Sequence, residues 1–173
     1  SAADITHADM QSHLARHLGT GFNLMLTHAH FDHMLYARPW LKEGVKLYVH
    51  KLDAPAFADP ALNLSGVIGA QLTLPEADVL LEEGDGVEEA GIHFDVLHTP
   101  GHTPGSVCYR HEKVLFCGDT LFYQGYGRVD LAGGNSLQMA LSLKRLMKLP
   151  GDIICYPGHG MKTKIAWEQE ANA

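Results

Sequence analysis

The sequence predicts one layered α/β domain, and two observations predict it. Short apolar segments typical of strands alternate with segments of helical periodicity in both halves of the 173-residue chain. No internal repeat or low-complexity linker divides the chain, and 46% hydrophobic against 19% charged residues is an ordinary globular balance. We therefore expect a single domain over residues 1–173, long enough to bury a substantial core.

The first half of the chain is punctuated by residues that end helices. Glycines at 19 and 21 close the first helical stretch, and Pro39 breaks the second. Compact apolar runs between them have strand character. In order, we predict a helix over 8–18, a strand over 22–27, a helix from Asp32, a strand over 45–50, and irregular chain or short helix over 52–64.

The second half begins with short strands separated by Gly, Asp and Glu. A Gly-rich loop over 124–134 then leads into a helix that Asn135 or Ser136 can cap. We assign its apolar side to Leu137, Ala140, Leu141, Leu143 and Leu146. The other predicted elements are strands over 78–82, 92–97, 106–110, 114–117 and 152–156, and a last helix over 163–170.

Charge and hydropathy exclude several classes of partner. A net charge of −7 with only 13 Lys and Arg residues does not favour a phosphate backbone, so no nucleic acid is expected. No apolar run has the length of a membrane span, and the N-terminus has no signal-peptide pattern. We therefore expect a cytoplasmic protein without a membrane partner. The three cysteines lie in apolar strands, which predicts buried, reduced thiols.

A segment rich in histidine follows the first predicted strand. His28 and His30 are two residues apart, so both side chains point to the same face and can reach one metal ion. Asp32 and His33 follow where the chain turns into a helix, and they can reach a neighbouring point. The segment therefore predicts a metal site.

Three later residues share one local setting, a short apolar strand followed by a Gly-rich turn. They are His102, Asp119 and His159. Side chains at the ends of several strands converge on one edge of a sheet, where sites in α/β proteins commonly form. Together with the first segment they make five histidines and two aspartates, enough for two metal ions that share a ligand.

These segments resemble the metallo-β-lactamase superfamily, and the resemblance covers nearly the whole chain. Residues 27–33, 99–105, 118–122 and 158–160 match its motifs in order, and 118–122 with 127–130 looks like the small glyoxalase II-like hydrolases. The implied fold is an αβ/βα sandwich of two mixed sheets flanked by helices. The resemblance implies one metal held by His28, His30 and His102, a second held by Asp32, His33 and His159, and Asp119 as the bridge.

The implied chemistry is hydrolysis by a hydroxide held between two divalent cations. Imidazole and carboxylate ligands suit zinc, iron or manganese, and we take zinc as the expected metal. Two cations lower the pKa of a bridging water towards about 7, and Asp32 could take up a proton as the catalytic carboxylate. A thiolate can leave unprotonated, whereas an amide nitrogen cannot, which favours a small-molecule thioester such as a hydroxyacylglutathione.

Other residues and reactions remain open at this stage. Arg128, Tyr126 and Lys162 are candidate substrate-binding residues, although Arg128 could instead pair with Asp130. The resemblance also admits a persulfide dioxygenase with one iron held by His28, His102 and Asp119, as well as lactonase or β-lactamase activity.

Two departures from the family pattern concern the ends of the chain. Superfamily members usually begin with a pair of strands that has no counterpart before the first predicted helix. The larger glyoxalase II enzymes also carry a C-terminal helical domain that has no counterpart after His159. We therefore expect a domain whose N-terminal strands are missing. An uncovered sheet edge favours association, so a homo-oligomer is a further expectation.

Overall fold

A computed structural model of the protein describes residues 22–171, and the helix predicted over 8–18 lies outside them. Two sheets form the centre of the fold. The smaller sheet contains the parallel strands β1 (Leu24–Met25), β2 (Leu47–His50) and β3 (Val79–Leu81) in that order. The larger mixed sheet runs in chain order through β4 (Gly86–Glu89), β5 (Ile92–His98), β6 (Val107–His111), β7 (Val114–Gly118), β8 (Ile154–Pro157) and β9 (Thr163–Lys164).

The helices lie on the outer faces of the sheets. They are α1 (Phe31–Ala37), α2 (Ser136–Leu146) and α3 (Ile165–Ala171), with short 3-10 helices at Arg38–Trp40, Ala54–Phe57 and Ser65–Ile68. Alternation along β2 shows the layering, because Leu47 and Val49 pack on the side of α1 while Tyr48 faces the larger sheet. On β7, Leu115 and Cys117 pack against the layer of α2 and α3. The predicted α/β sandwich is confirmed.

Several predicted elements differ in detail from the observed ones. The first strand is only two residues long, β4 was not predicted, and Thr163 begins a short strand instead of the last helix. The sequence of β4 lacks the apolar pattern of a strand, because only Val87 of its four residues is buried. Strand pairing with β5 holds β4 in place.

The predicted apolar side of α2 is wrong in part. Leu137, Ala140 and Leu141 are exposed, whereas Met139, Ser142 and Leu146 are buried. The helix is turned this way because Met139 packs on Gly101, where an added Cβ would lie 2.5 Å from the Met139 backbone nitrogen. The Ser142 hydroxyl donates to the carbonyl of Pro100 at 2.7 Å. Contact with the turn that carries His102 therefore decides which face of α2 is buried.

Two predictions about the cysteines and the membrane can be compared with the described residues. Cys108, Cys117 and Cys155 are all buried and free of disulfides, as predicted. Between residues 22 and 171, no helix has both the length and the apolar character needed to cross a bilayer.

Candidate metal centre

The direction of the strands places the predicted ligands at one edge of the larger sheet. β6 is antiparallel to both β5 and β7, and β7 is parallel to β8, so β5, β7 and β8 run the same way. Their carboxyl ends therefore lie at the same edge. The turns that follow them carry His102, Asp119 and His159.

The structure brings all seven predicted ligands together. The histidine-rich segment follows β1 and continues into the first turn of α1. Three groups of side chains have ligand atoms that all lie within 4.8 Å of one another. They are His28, His30 and His102; His28, His33 and Asp119; and Asp32, His33 and His159.

Asp119 lies between the two ends of this cluster. Its Oδ1 is 3.5 Å from Nε2 of His33, and its Oδ2 is 3.5 Å from Nε2 of both His102 and His159. At one end, Nδ1 of His30 is 2.8 Å from Nε2 of His102. So close an approach of two ring nitrogens requires a shared proton or cation, since two lone pairs repel each other.

Four atoms of the cluster are buried without a hydrogen-bond partner among the described residues. They are Nε2 of His28, His30 and His33, and Oδ1 of Asp119. A buried polar atom without a partner is costly and therefore rare. Imidazole nitrogens and carboxylate oxygens that lie within 4.8 Å of one another are the donor set that binds divalent transition metals. The residues therefore fit the metal ions that the fold implies.

The electrostatic environment favours the ligand forms of these side chains. Burial lowers the pKa of His28 well below its usual value and that of His30 to about 4, and neighbouring histidines lower both further. Burial alone would raise the pKa of Asp119, but His33, His102 and His159 outweigh it and lower that pKa. At neutral pH these two imidazoles are neutral and the carboxylate is ionised, as metal binding requires.

In two of the histidine ligands, the second ring nitrogen contacts an oxygen atom outside the cluster. Nδ1 of His102 donates to the backbone carbonyl of Arg128 at 2.7 Å, and Nδ1 of His28 lies 3.3 Å from the Thr27 hydroxyl. These contacts leave Nε2 of each ring directed into the cluster. Such partners fix the tautomer and orientation of metal-binding imidazoles.

Asp53 joins two of the ligand loops, and no local pattern in the sequence singles it out. Its buried carboxylate accepts hydrogen bonds from the Ala29 and Gly105 backbone N–H groups at 2.9 and 2.7 Å. It accepts a third from the Thr103 hydroxyl at 2.8 Å. Asp53 thereby ties the segment of His28 and His30 to the turn of His102.

Gly158 lies against two of the ligands. A Cβ at this position would be 2.3 Å from Oδ1 of Asp119 and 2.8 Å from Cε1 of His33. Because both atoms are at the ends of side chains, we expect Gly158→Ala to fold but to displace the ligands. Chelator competition should show metal affinity lowered by about 10–100-fold, the range seen when the surroundings of a metal ligand are disturbed.

The matched control for this prediction is Gly125→Ala. An added Cβ at Gly125 meets nothing within 4 Å. This variant should bind metal as the wild type does. Unchanged metal affinity in Gly158→Ala would show that the ligands tolerate the displacement.

His98 has a structural role, because its ring stacks on that of His50. The two rings stack at 4.1 Å, and Nε2 of His98 lies 2.8 Å from the Pro104 carbonyl oxygen. His50 is only 2% exposed. Burial, followed by the nearby His98 and Lys51, lowers the pKa of His50 to about 4.

This shift predicts how the stability of the metal-free protein depends on pH. In the unfolded chain His50 takes up a proton as the pH falls through about 6.5, whereas the folded protein resists until about 4. Stability should therefore decrease from pH 6.5 to 4. In His50→Phe, which keeps an aromatic ring for stacking, unfolding should take up about one proton less over this range. Denaturant unfolding at several pH values measures this, and identical profiles would contradict it.

The three predicted substrate-binding residues are placed differently. Arg128 lines a cleft at the cluster, but its guanidinium forms two hydrogen bonds with Asp130, at 2.9 and 2.8 Å. Tyr126 lines a separate pocket beside α2, and Lys162 is exposed and lines neither cleft at the cluster. The structure therefore brings only Arg128 to the site.

Two clefts among the described residues are each lined by several of the proposed ligands. The larger, of about 400 Å³, lies between the 3-10 helix Ser65–Ile68 and the loop that carries Arg128. The smaller, of about 290 Å³, lies on the other side, beside His33 and Tyr156. Asp32 and His159 line both clefts.

Comparison with protein families and curated proteins gives consistent matches. The model of the metallo-β-lactamase superfamily matches residues 23–159. The probable metallo-hydrolase YqgX of Bacillus subtilis is 39% identical over 160 residues, which cover 88% of this chain and 75% of YqgX. The hydroxyacylglutathione hydrolase GloC of Haemophilus influenzae is 36% identical over 160 residues, covering 86% of this chain and 73% of GloC.

Solved structures show the same fold. BLEG-1, a B3 metallo-β-lactamase, superposes with a TM-score of 0.87 at 37% identity, covering 94% of this chain and 81% of BLEG-1. TTHA1623 in a di-iron-bound form has a TM-score of 0.77 at 32% identity, covering 96% and 84%. ETHE1 from Myxococcus xanthus has a TM-score of 0.76 at 28% identity, covering 95% and 68%.

Proposed function

Because this chain belongs to the metallo-β-lactamase superfamily, we propose that this metallo-hydrolase cleaves a thioester, with a hydroxyacylglutathione as its substrate. The observation that carries the proposal is the cluster of five histidines and two aspartates at the mouth of two clefts. The similarity to the hydroxyacylglutathione hydrolase GloC supports the choice of substrate.

We further propose that the cluster holds two metal ions. His28, His30 and His102 would hold one, Asp32, His33 and His159 would hold the other, and Asp119 would be a ligand available to both. The two outer groups of mutually close ligand atoms, with Asp119 between them, support this division. Zinc is the proposed metal, and iron is the main alternative, since the similar TTHA1623 was solved with two iron ions.

Two bound cations would lower the pKa of a water molecule and polarise the carbonyl of the substrate. The residues of the chain have separate tasks. Asp32 is partly exposed at the entrance of both clefts, and its carboxylate lies 3.0 Å from Nε2 of His159. From this position we assign it the uptake of the proton from the attacking water. Asp53 and the Arg128 carbonyl keep the ligand loops in place.

The lining of the larger cleft supports a leaving group that needs no proton. Apart from the proposed ligands, Arg128 is the only titratable residue within 22–171 that lines it, and Asp130 raises the pKa of its guanidinium further. An arginine held in this way is a poor general acid. A thiolate with a pKa of about 8.5 leaves without one, whereas an amide nitrogen requires protonation.

The proposal is tested by assaying the metal-reconstituted protein with S-lactoylglutathione. We expect thiol release that depends on added metal and falls to background in His28→Ala. Turnover no higher than that of His28→Ala would rule out hydroxyacylglutathione hydrolysis by this protein. Metal analysis of the same samples should give two ions per chain.

A β-lactam is the second candidate substrate, favoured by the similarity to BLEG-1. Hydrolysis of a cephalosporin without thioester turnover would favour it. The mononuclear-iron persulfide dioxygenase would use His28, His102 and Asp119 alone. That arrangement leaves Nε2 of His33 buried without a partner, which disfavours it. One iron per chain with oxygen consumption on a persulfide would reverse this conclusion.

The proposed partners are otherwise limited to the small-molecule substrate. It stays a prediction that the protein binds neither nucleic acid nor a membrane. The cytoplasmic location also stays a prediction. Self-association also stays a prediction, and light scattering tests it. Among the described strands, β1 pairs on one side only, with β2.

A further inference from the structure

The larger cleft has an apolar wall next to the metal-binding cluster. Val67 is 81% exposed and Ile68 is 61% exposed, and both line this cleft. Side chains of this kind are normally buried, and leaving them in water is unfavourable. Partly buried apolar residues extend the lining around them. These are Phe31, Leu64, Phe122 and Leu131.

The wall is held by buried polar contacts. The Asn63 side-chain amide donates to the carbonyls of Ala56 and Leu72, and its side-chain oxygen accepts from the Ser65 N–H. The Asn63 carbonyl accepts from the N–H of Phe31, at the start of α1. The 3-10 helix is therefore fixed relative to the segment that carries the proposed metal ligands.

The backbone is strained where the wall begins. Leu64 has φ of 66°, in the left-handed region that a bulky side chain rarely adopts. Such strain persists only where the surrounding structure imposes it, and it is common at ligand-binding sites. Here it turns the chain so that Val67 and Ile68 reach the cleft.

The opposite wall offers no free cation for an acidic group. The Arg128 guanidinium already forms two hydrogen bonds with the Asp130 carboxylate. No other lysine or arginine of the described part of the chain lines this cleft. A carboxylate entering here would have to displace Asp130, whereas an apolar group would cover Val67 and Ile68 without competition.

We propose that Val67 and Ile68 form a subsite for an apolar acyl substituent, so that the preferred thioesters carry an aryl or branched alkyl group on the acyl carbon. The reaction in this inference rests on the proposed thioester hydrolysis. The subsite itself can be tested by binding alone. S-mandeloylglutathione and S-lactoylglutathione are suitable probes, because they share the thiol and the 2-hydroxyacyl group and differ only in phenyl against methyl.

The kinetic test compares the two thioesters on the metal-loaded protein. We expect kcat/KM to be at least about 10-fold higher for the mandeloyl than for the lactoyl substrate, since even one methylene in an apolar pocket discriminates by 10-fold or more. The double variant Val67→Thr/Ile68→Thr should lower this ratio by about 10-fold. Because both positions are exposed, the double variant should still fold.

The binding test does not depend on turnover. Calorimetric titration of the metal-loaded protein with mandelate and lactate should show tighter binding of mandelate, and the double variant should lose this preference. Equal binding of the two acids, or an unchanged preference in the double variant, would overturn the subsite. Preference for mandelate without hydrolysis of any thioester would retain the subsite and reject the proposed reaction.

Leu137→Ser provides the matched control. Leu137 is 69% exposed on α2 and does not line the cleft. Its replacement removes a similar exposed apolar side chain and should leave both preferences unchanged. A loss of preference in this control would show that the effect is not specific to the subsite.

Discussion

Asp119→Asn should lose most of its bound metal, and its activity should fall by at least about 100-fold. This loss exceeds the roughly 10–100-fold that follows when a residue that only orients a metal ligand is changed. Asp119 is the residue whose oxygens lie 3.5 Å from imidazoles at both ends of the cluster. Asparagine has the same shape but is neutral, and its amide NH2 has no lone pair to donate to a cation. Metal analysis after dialysis and steady-state kinetics measure the two losses.

The control for Asp119→Asn is Asp152→Asn. Asp152 is exposed and pairs with Lys113, away from the cluster. It should keep the metal content and activity of the wild type. Circular dichroism should show that both variants are folded. Two metal ions retained per chain in Asp119→Asn would contradict the assignment of Asp119 as the shared ligand.

Asp53→Ala should be the most destabilising of these substitutions, by roughly 2–6 kcal/mol. It removes a carboxylate that is 4% exposed and accepts three hydrogen bonds. The N–H groups of Ala29 and Gly105 would remain buried without partners, which costs roughly 1–3 kcal/mol for each group. In a protein of this length, where 1 kcal/mol corresponds to about 2–4 °C, Tm should fall by roughly 4–24 °C.

Denaturant unfolding of the metal-free protein measures the effect of Asp53→Ala without the contribution of metal binding. The matched control is Asp59→Ala, which removes one hydrogen bond to the Ala61 N–H at an exposed position. Its cost should stay within about 1 kcal/mol. If the two variants unfold at the same denaturant concentration, Asp53 does not hold the ligand loops together.

Chelation separates the two effects of Asp53. The carboxylate contacts the segments of both His30 and His102 without being a proposed ligand. In Asp53→Ala, we therefore also expect metal affinity to fall by about 10–100-fold, as for other residues that orient metal ligands. An unchanged metal affinity would show that Asp53 contributes to stability but not to metal binding.

The seven proposed ligands could be found from the sequence because their local surroundings repeat. His28 and His30 follow a short apolar strand, as do His102, Asp119 and His159, and Asp32 and His33 start the helix directly after the first pair. Asp53 could not be found in this way. It lies in an irregular segment, and its partners Thr103 and Gly105 are about fifty residues further along the chain. The strand β4 was missed for a related reason, since pairing with β5 rather than an apolar pattern holds it in the sheet.

Local sequence thus determined the α/β class, the order of most strands and helices, and the identity of the seven clustered side chains. These depend on periodicity and on turn chemistry, which act over a few residues. Tertiary structure alone decided which face of α2 is buried, how Asp53 joins two loops, and that Val67 and Ile68 stand exposed beside the cluster. Each of these depends on segments that are distant in the chain and meet only when the layers pack, so no pattern within one segment can encode them.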